Sequence, residues 1–488
     1  MASVTKNEVL NNATWRFAER ILAQIITTVV SVVLARILSP EDYGAIAIIM
    51  IFINICNVFV SKGFNSSLIQ KKDADEIDFS TAFYINFIIT IVLFLGICFL
   101  APVIADFYGI PILSPLLRVM AIKLPFTAVN SVQNAMVSRN MQFKKYFFAT
   151  IGGTLISAGV GIGMAYAGYG VWALAGQYLS STAINSVILW FTVKWRPRLV
   201  FSIERAKGLF SYGWKILVSS LLDEVNTEVT SFAIGKKYSS ADLAYYSKGK
   251  QFPNIINVNV NTTISSIMFS VLSKDQTEMS TFKSHMKRSL KTSTFVMFPL
   301  LLGMAAVSEE FLILLLTEKW AAAVPFMQIF CISCLFYPIN SLNIQAVKAT
   351  GASGKYLLMT FIKTLVSVGL VLIAIPFGVH WVAMVGILNA FVASLLQALP
   401  LKRLVGYSFW QEIKDVLPNL ILAIVMMCAA SAIGFMNLPL FASFTVKIAV
   451  GILVYLGGAK LFKNESLDYL YKMLMSKLKR RKSKTNKI

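Results

Sequence analysis

Apolar segments of about twenty residues recur along the whole of this chain. That is the length an α-helix needs to cross a hydrocarbon layer of ~30 Å at about 1.5 Å per residue. Inside a bilayer every backbone N–H and C=O must be satisfied within the chain, so only helices and closed barrels survive there. Fourteen candidate spans can be drawn, at roughly 14–37, 43–60, 79–101, 116–137, 146–167, 170–193, 209–234, 251–272, 292–316, 324–347, 356–376, 380–401, 416–436 and 440–461. The expected class is an all-α polytopic membrane protein. A soluble domain has nowhere to sit, since the longest stretch outside the spans is a tail of about 25 residues. Residues 1–13 are polar and the first span leads straight into the second, so no cleaved leader is expected ahead of it.

A net charge of +22 would suit a nucleic-acid partner, but its distribution argues against one. Most of the excess lies in short connections and the tail, where it encodes topology. Alternate connections hold twenty-one basic residues, among them Arg139, Lys144, Lys145, Lys283, Lys287 and Arg288, against seven in the intervening set. The richer set, and with it both termini, is expected in the cytoplasm. One outer stretch breaks the pattern: residues 235–250 hold Lys236, Lys237, Lys248 and Lys250 against Asp242 alone. It is either a local exception or an outward basic rim for an anionic substrate. The tail, 463–488, carries nine basic residues including Lys479-Arg480-Arg481-Lys482, which topology and attraction to anionic lipid explain.

The span at 209–234 is the anomaly. Its residues Ser211 to Ile234, SYGWKILVSSLLDEVNTEVTSFAI, include Lys215, Asp223, Glu224 and Glu228. At about 100° per residue, Ser211, Lys215, Ser219, Asp223, Asn226, Thr227 and Thr230 share one face, flanked by Glu224 and Glu228. A carboxylate at mid-bilayer costs roughly 2.5–3.5 kcal/mol, so three facing lipid would cost on the order of 8–10 kcal/mol. That rivals the stability of a whole domain. The polar face must look into water or protein.

Shifting the chain on itself gives that helix a partner. At an offset of 199 the first span aligns with it: Arg16 on Lys215, Arg20 on Ser219, Gln24 on Asp223, Thr27 on Asn226 and Ser31 on Thr230. At an offset of 210, Ser131, Val137, Lys145-Tyr146 and Thr150 meet Ser341, Val347, Lys355-Tyr356 and Thr360. Six helices repeated once, with two appended, give two pseudo-symmetric lobes of the same orientation and a transporter with its site between them. The expected divisions are 1–205, 206–404, 405–462 and the tail 463–488.

No catalytic or metal constellation emerges, and no cofactor is expected. His285 and His380 lack ligand spacing. Cys331-x-x-Cys334 lies inside a helix and reads as packing, like Cys56, Cys98 and Cys428. Asp73-Ala74-Asp75 has no nucleotide-binding fold around it, and Gly159 and Gly163 read as small residues at a helix contact. The sequons at Asn65 and Asn464 fall on the cytoplasmic side, and no Walker motif is present.

The intramembrane charges carry more information. Arg16 and Arg20 either snorkel from the first turns of their helix or line the cavity. Lys215 and Lys363 are deeper, with Ser367 one turn beyond Lys363, and suit a phosphate-bearing group. Lys123 and Lys447 lie nearer the outer ends of their spans and are expected to snorkel. Asp223, Glu224 and Glu228 either pair with the cations or bind a coupling proton or sodium ion. Trp15, Trp172 and Trp214 are expected at the membrane interface.

Three stretches then give a family resemblance. LARILSPEDYGAIA (34–47), GFNSSLIQKKD (63–73) and TEKWAAAVPFMQIFC (317–331) are similar to Wzx-type polysaccharide flippases of the multidrug/oligosaccharidyl-lipid/polysaccharide exporter superfamily, most of all the branch serving colanic and teichuronic acid-like polysaccharides. The resemblance covers essentially the whole chain. It implies a MATE-like fold of fourteen helices and, in a bacterial inner membrane, translocation of an undecaprenyl-pyrophosphate-linked repeat unit without enzymatic chemistry. It also implies that Arg16, Arg20, Lys215 and Lys363 form a cationic lumen, with Gln24, Asn226 and Thr230 bonding sugar hydroxyls. Asp223, Glu224 and Glu228 match no motif of the family. The partners it implies are the lipid-linked oligosaccharide, membrane lipid, H⁺ or Na⁺, and neighbouring polymerase and export proteins. A cation-coupled multidrug exporter, a peptidoglycan lipid-precursor flippase and a membrane polysaccharide polymerase are the alternatives. The last needs a large outer loop that this sequence does not offer.

Overall fold

The computed structural model describes residues 6–71, 73–274, 278–350, 353–472 and 475; among these the chain is helix and short connection, with no strand. It forms two compact units, Met1–Ala244 and Tyr245–Ile488. The first holds α1 (Lys6–Ile37), α2 (Pro40–Ser61), α3 (Gly63–Gln70), α4 (Glu76–Tyr108), α5 (Leu113–Ala121), α6 (Lys123–Arg139), α7 (Phe143–Tyr166), α8 (Val171–Thr192) and α9 (Ile203–Lys237). The second begins early in α10 (Ser240–Lys274). It continues with α11 (Met279–Ala306), α12 (Ser308–Leu316), α13 (Val324–Cys334), α14 (Tyr337–Ala349), α15 (Ser353–Ala374), α16 (Val379–Leu404), α17 (Phe409–Ala432) and α18 (Leu440–Leu461).

Ten stretches among the described residues are long and apolar enough to cross a membrane. The chain is therefore an all-α, multi-pass membrane protein. The other four segments marked in the sequence are helical too: α5 with α6, α8, α9 and α10. They carry amides, hydroxyls and charges that lower their hydropathy. Three expected spans are interrupted, between α5 and α6 at Ile122, between α11 and α12 at Val307, and between α13 and α14 at Leu335 and Phe336.

Local chemistry sets the helix starts. Ser39 and Asp42 form a reciprocal capping box at α2, and Asp75 and Asp78 form another at α4. Ser239 and Asp242 repeat the first arrangement at α10, 200 residues after it, with Ser239 Oγ 2.7 Å from Asp242 Oδ2. That cap corrects the outer loop read at 235–250. The connection is only Tyr238 and Ser239, and the basic residues sit on the two helices it joins. Lys248 is 4% exposed and donates to Gln251 Oε1 at 3.2 Å, while Lys236 lies 3.9 Å from the Phe107 ring centroid. A rim open along all four lysines is not what the helices present.

In the first unit α7 packs along α8 through Ala149, Gly153, Ser157, Gly161 and Ala165, a ridge at every fourth residue. Gly159 and Gly163, the residues expected at a contact, face open space. The phase of the small residues was one step off: Gly161 belongs to the contact, and its two neighbours do not. In the second unit Phe282, Phe298, Leu302, Leu342, Met426 and Tyr455 build the core. Cys331 and Cys334 are buried on α13. Lys447 does not snorkel: it is 7% exposed and pairs with Glu310 of α12.

Candidate functional site

The polar helix of the sequence is α9, and its 35 residues divide into three faces. Leu209, Gly213 and Leu217 lie against α3, where Ser67 Oγ donates to the Leu209 carbonyl at 2.8 Å. Further along the same face Asn54 Nδ2 of α2 donates to Glu228 Oε1 at 3.0 Å, and Gly235 meets Ile48 and Tyr108. A second face exposes Phe210, Trp214, Val218, Val225 and Phe232, which suits lipid. The third holds Ser211, Lys215, Ser219, Asp223, Asn226 and Thr230. Lys215 and Asp223 are exposed, and Asn226 Oδ1 is buried without a hydrogen-bond partner. The polar face is thus neither the packing face nor the apolar one.

The same face continues into a cavity. Glu204, Arg205, Gly208, Leu209 and Tyr212 form one wall and Ser67, Gln70 and Lys71 the other, around a volume of about 460 Å³. Lys71 Nζ donates to both oxygens of the fully buried Asp78 at 2.7 Å, and Arg205 reaches Asp75 at 3.1 Å. The Asp78 backbone N–H, with Arg205 and Lys71 beside it, holds the Asp75 carboxyl below its usual range. Arg139 ties the end of α3 to α6 by donating to the Leu68 carbonyl at 3.0 Å. The cavity mouth is therefore built on fixed ion pairs.

Helix α1 divides similarly. Phe17, Ile21, Leu22, Ile25 and Val29 are exposed apolar residues, and Val30, Leu34 and Ala35 are buried. Between them run Arg16, Arg20, Gln24, Thr27 and Ser31, with Gln24 Nε2 donating to Thr28 Oγ1 at 3.3 Å. Arg16 bonds Glu19 Oε2 at 3.0 Å and lies 4.6 Å from the Tyr146 ring centroid, yet half its side chain stays exposed. Trp15 packs on Phe147 with centroids 5.1 Å apart. Lys363 belongs to the second unit, half-buried on α15, with Ser367 one turn on accepting from Asn389 Nδ2 at 3.0 Å. The structure brings Arg16 to Glu19 and Glu228 to Asn54, two partners that the sequence reading missed. Glu19 was visible as a carboxylate three residues after Arg16. Asn54, 174 positions from Glu228, gave no signal.

Comparison with known proteins now decides the family. The sequence profile of the polysaccharide biosynthesis protein family matches residues 33–325. The chain belongs to that family. It is 24% identical over 471 residues to the teichuronic acid biosynthesis protein TuaB of Bacillus subtilis (strain 168), covering 93% of this chain and 96% of TuaB. It is 22% identical over 369 residues to the succinoglycan biosynthesis transport protein ExoT of Rhizobium meliloti (strain 1021), covering 76% and 75%. The fold of this family member resembles the lipid II flippase MurJ in an inward closed conformation, with a TM-score of 0.76 at 17% identity over 94% of this chain and 100% of MurJ. It also resembles an inward-facing MATE transporter of the MOP superfamily, with a TM-score of 0.62 at 14% identity over 78% and 95%. The Wzx-type, MATE-like resemblance read from the three sequence stretches holds.

Proposed function

We propose that this chain is a flippase that carries undecaprenyl-pyrophosphate-linked oligosaccharide repeat units across a bacterial inner membrane by alternating access, for export of a surface polysaccharide. The observation that carries the proposal is the polar face of α9. It starts in the wall of a 460 Å³ cavity and continues along a helix of membrane length, apart from both the packing face and the apolar face of that helix. A carboxylate turned to hydrocarbon would cost roughly 2.5–3.5 kcal/mol, and with Lys215 and Asp223 both on it this face is reserved for water and a polar cargo. The names of TuaB and ExoT, one a teichuronic acid and one a succinoglycan protein, supply the class of cargo.

In this scheme Arg16, Arg20, Lys215 and Lys363 hold the pyrophosphate or acidic sugars, while Gln24, Asn226 and Thr230 bond hydroxyls. The polyprenyl chain stays in lipid and no covalent bond changes. Asp223, Glu224 and Glu228 take the coupling proton or sodium ion. The ten apolar stretches and four polar segments make fourteen spans, with both termini cytoplasmic. The twin capping boxes at Ser39 and Ser239 support a duplication into 1–205 and 206–404, followed by 405–462 and the tail. Of that tail, residues 473–474 and 476–488 lie outside the described residues, Lys479-Arg480-Arg481-Lys482 among them. α9 is then the first helix of the second repeat, although it packs on α2, α3 and α4.

Charge-assisted hydrogen bonds contribute roughly 1.5–3 kcal/mol each, so Lys215→Ala and Arg20→Ala should each lower polymer export about ten- to a hundredfold at unchanged membrane abundance. Export equal to that of the unaltered protein would rule out the cationic cradle. Combining Asp223→Asn, Glu224→Gln and Glu228→Gln should leave a slower transport that ionophores no longer inhibit. Retained ionophore sensitivity would place the coupling elsewhere.

A further inference from the structure

Four asparagines lie within eight residues of α10: Asn254, Asn257, Asn259 and Asn261. None has a role in the scheme above, and an amide on a membrane helix is costly unless it bonds something. Asn259 is accounted for, donating to the Ile255 carbonyl at 2.8 Å on a separate face. The other three share one face with Ser265. Asn261 Nδ2 donates to Asn257 Oδ1, and Asn257 Nδ2 donates to Asn254 Oδ1 at 3.5 Å. Ser265 Oγ lies 2.8 Å from Ser341 Oγ on α14. The two ends of the ladder, Asn254 and Asn261, are exposed and half-buried, and Asn257 between them is 4% exposed. Asn261 Oδ1 is buried and accepts no hydrogen bond.

The chemistry of the ladder selects its ligand. Each amide offers two donors and an acceptor, and no formal charge stands among the three. A bare anion would meet carbonyl oxygens beside every N–H, and an apolar group would leave the unused acceptor stranded. A sugar ring presents neighbouring hydroxyls that each donate and accept, which matches a row of amides. We infer that Asn254, Asn257 and Asn261 form a subsite for the neutral sugar rings of the cargo and set which repeat units are carried. This rests on the flippase proposal and adds a recognition role separate from the cationic residues.

The test uses the full-length protein in detergent and two probes, a short polyprenyl pyrophosphate bearing a neutral disaccharide and the same lipid without sugar. Asn254 is exposed, so Asn254→Ala should fold normally, which thermal melting would confirm. It should weaken the sugar-bearing probe about five- to tenfold. Asn254→Ala with Asn261→Ala should weaken it further, and neither variant should alter binding of the bare lipid. Equal losses for both probes would make the ladder a packing feature, and no loss for either would remove it from recognition. An unaltered protein that binds neither probe would overturn the flippase proposal itself, and the subsite with it. Unaltered protein that prefers the sugar-bearing probe, with variants that keep the preference, would overturn the subsite alone.

Discussion

Gly213→Leu should abolish polymer export and lower stability, whereas Gly159→Leu should leave both near normal. A Cβ at Gly213 would lie 2.7 Å from the Gly63 carbonyl oxygen and 2.8 Å from Ser67 Oγ. The first is backbone, fixed by helix α3, so α9 itself must move. Even Gly213→Ala should be harmful: alanine gains roughly 1 kcal/mol of helix propensity over glycine, but overpacking costs about 1–3 kcal/mol. Displacement would also break the Ser67 bond to the Leu209 carbonyl, and tilt the face that carries Lys215 and Asp223. A Cβ at Gly159 would have nothing within 4 Å, which makes it the control. Complementation of export, read beside thermal melting in detergent, separates the cases. A Gly213→Leu protein that exports and melts like the unaltered one would show that the close approach of α9 to α3 is dispensable.

The contrast between those glycines shows where sequence stopped being informative. Hydrophobic length marked every long helix, and the 3.6-residue period put Lys215, Asp223, Asn226 and Thr230 on one face of α9. Period gives a helix its faces but not its neighbours. It could not say that Gly153 and Gly161 meet α8 while Gly159 faces outward, because that choice depends on where a second helix lies. Pairings across long separations were equally silent, as with Asn54 and Glu228. The asparagines of α10 were legible as letters and passed over, since Ile255, Ile256, Val258 and Val260 between them satisfied the count for a span. The basic stretch at 235–250 misled for a related reason. Charge density suggested a loop, yet Ser239 and Asp242 start a helix there, and Lys248 is buried with Gln251 Oε1 accepting from its Nζ and the Trp320 ring centroid 5.6 Å away.

Lys447 is the sharper case, and it gives the second large expected effect. Lys447→Met alone should destabilise the protein by about 3–5 kcal/mol, as should Glu310→Leu alone. Both side chains are 8% exposed, Ser443 Oγ donates to Glu310 Oε1 at 2.8 Å, and Lys447 Nζ also approaches the Ala306 carbonyl at 3.4 Å. Removing one partner leaves the other charge buried without compensation. Removing both replaces the pair with apolar volume, and such double replacements range from neutral to about 1–4 kcal/mol stabilising. The Lys447→Met, Glu310→Leu double variant should therefore melt near or above the unaltered protein, although each single variant melts far below it. Snorkelling predicts the reverse order: a lysine that reaches water loses little when replaced, and the two changes add. Denaturant or thermal unfolding of the four proteins in one detergent distinguishes the two by the sign of the coupling. Since a whole domain is stable by only about 5–15 kcal/mol, the single changes should also be visible as reduced membrane abundance. Export per molecule should be unchanged in the double variant, because the pair joins α12 to α18 and lies on neither α1 nor α9.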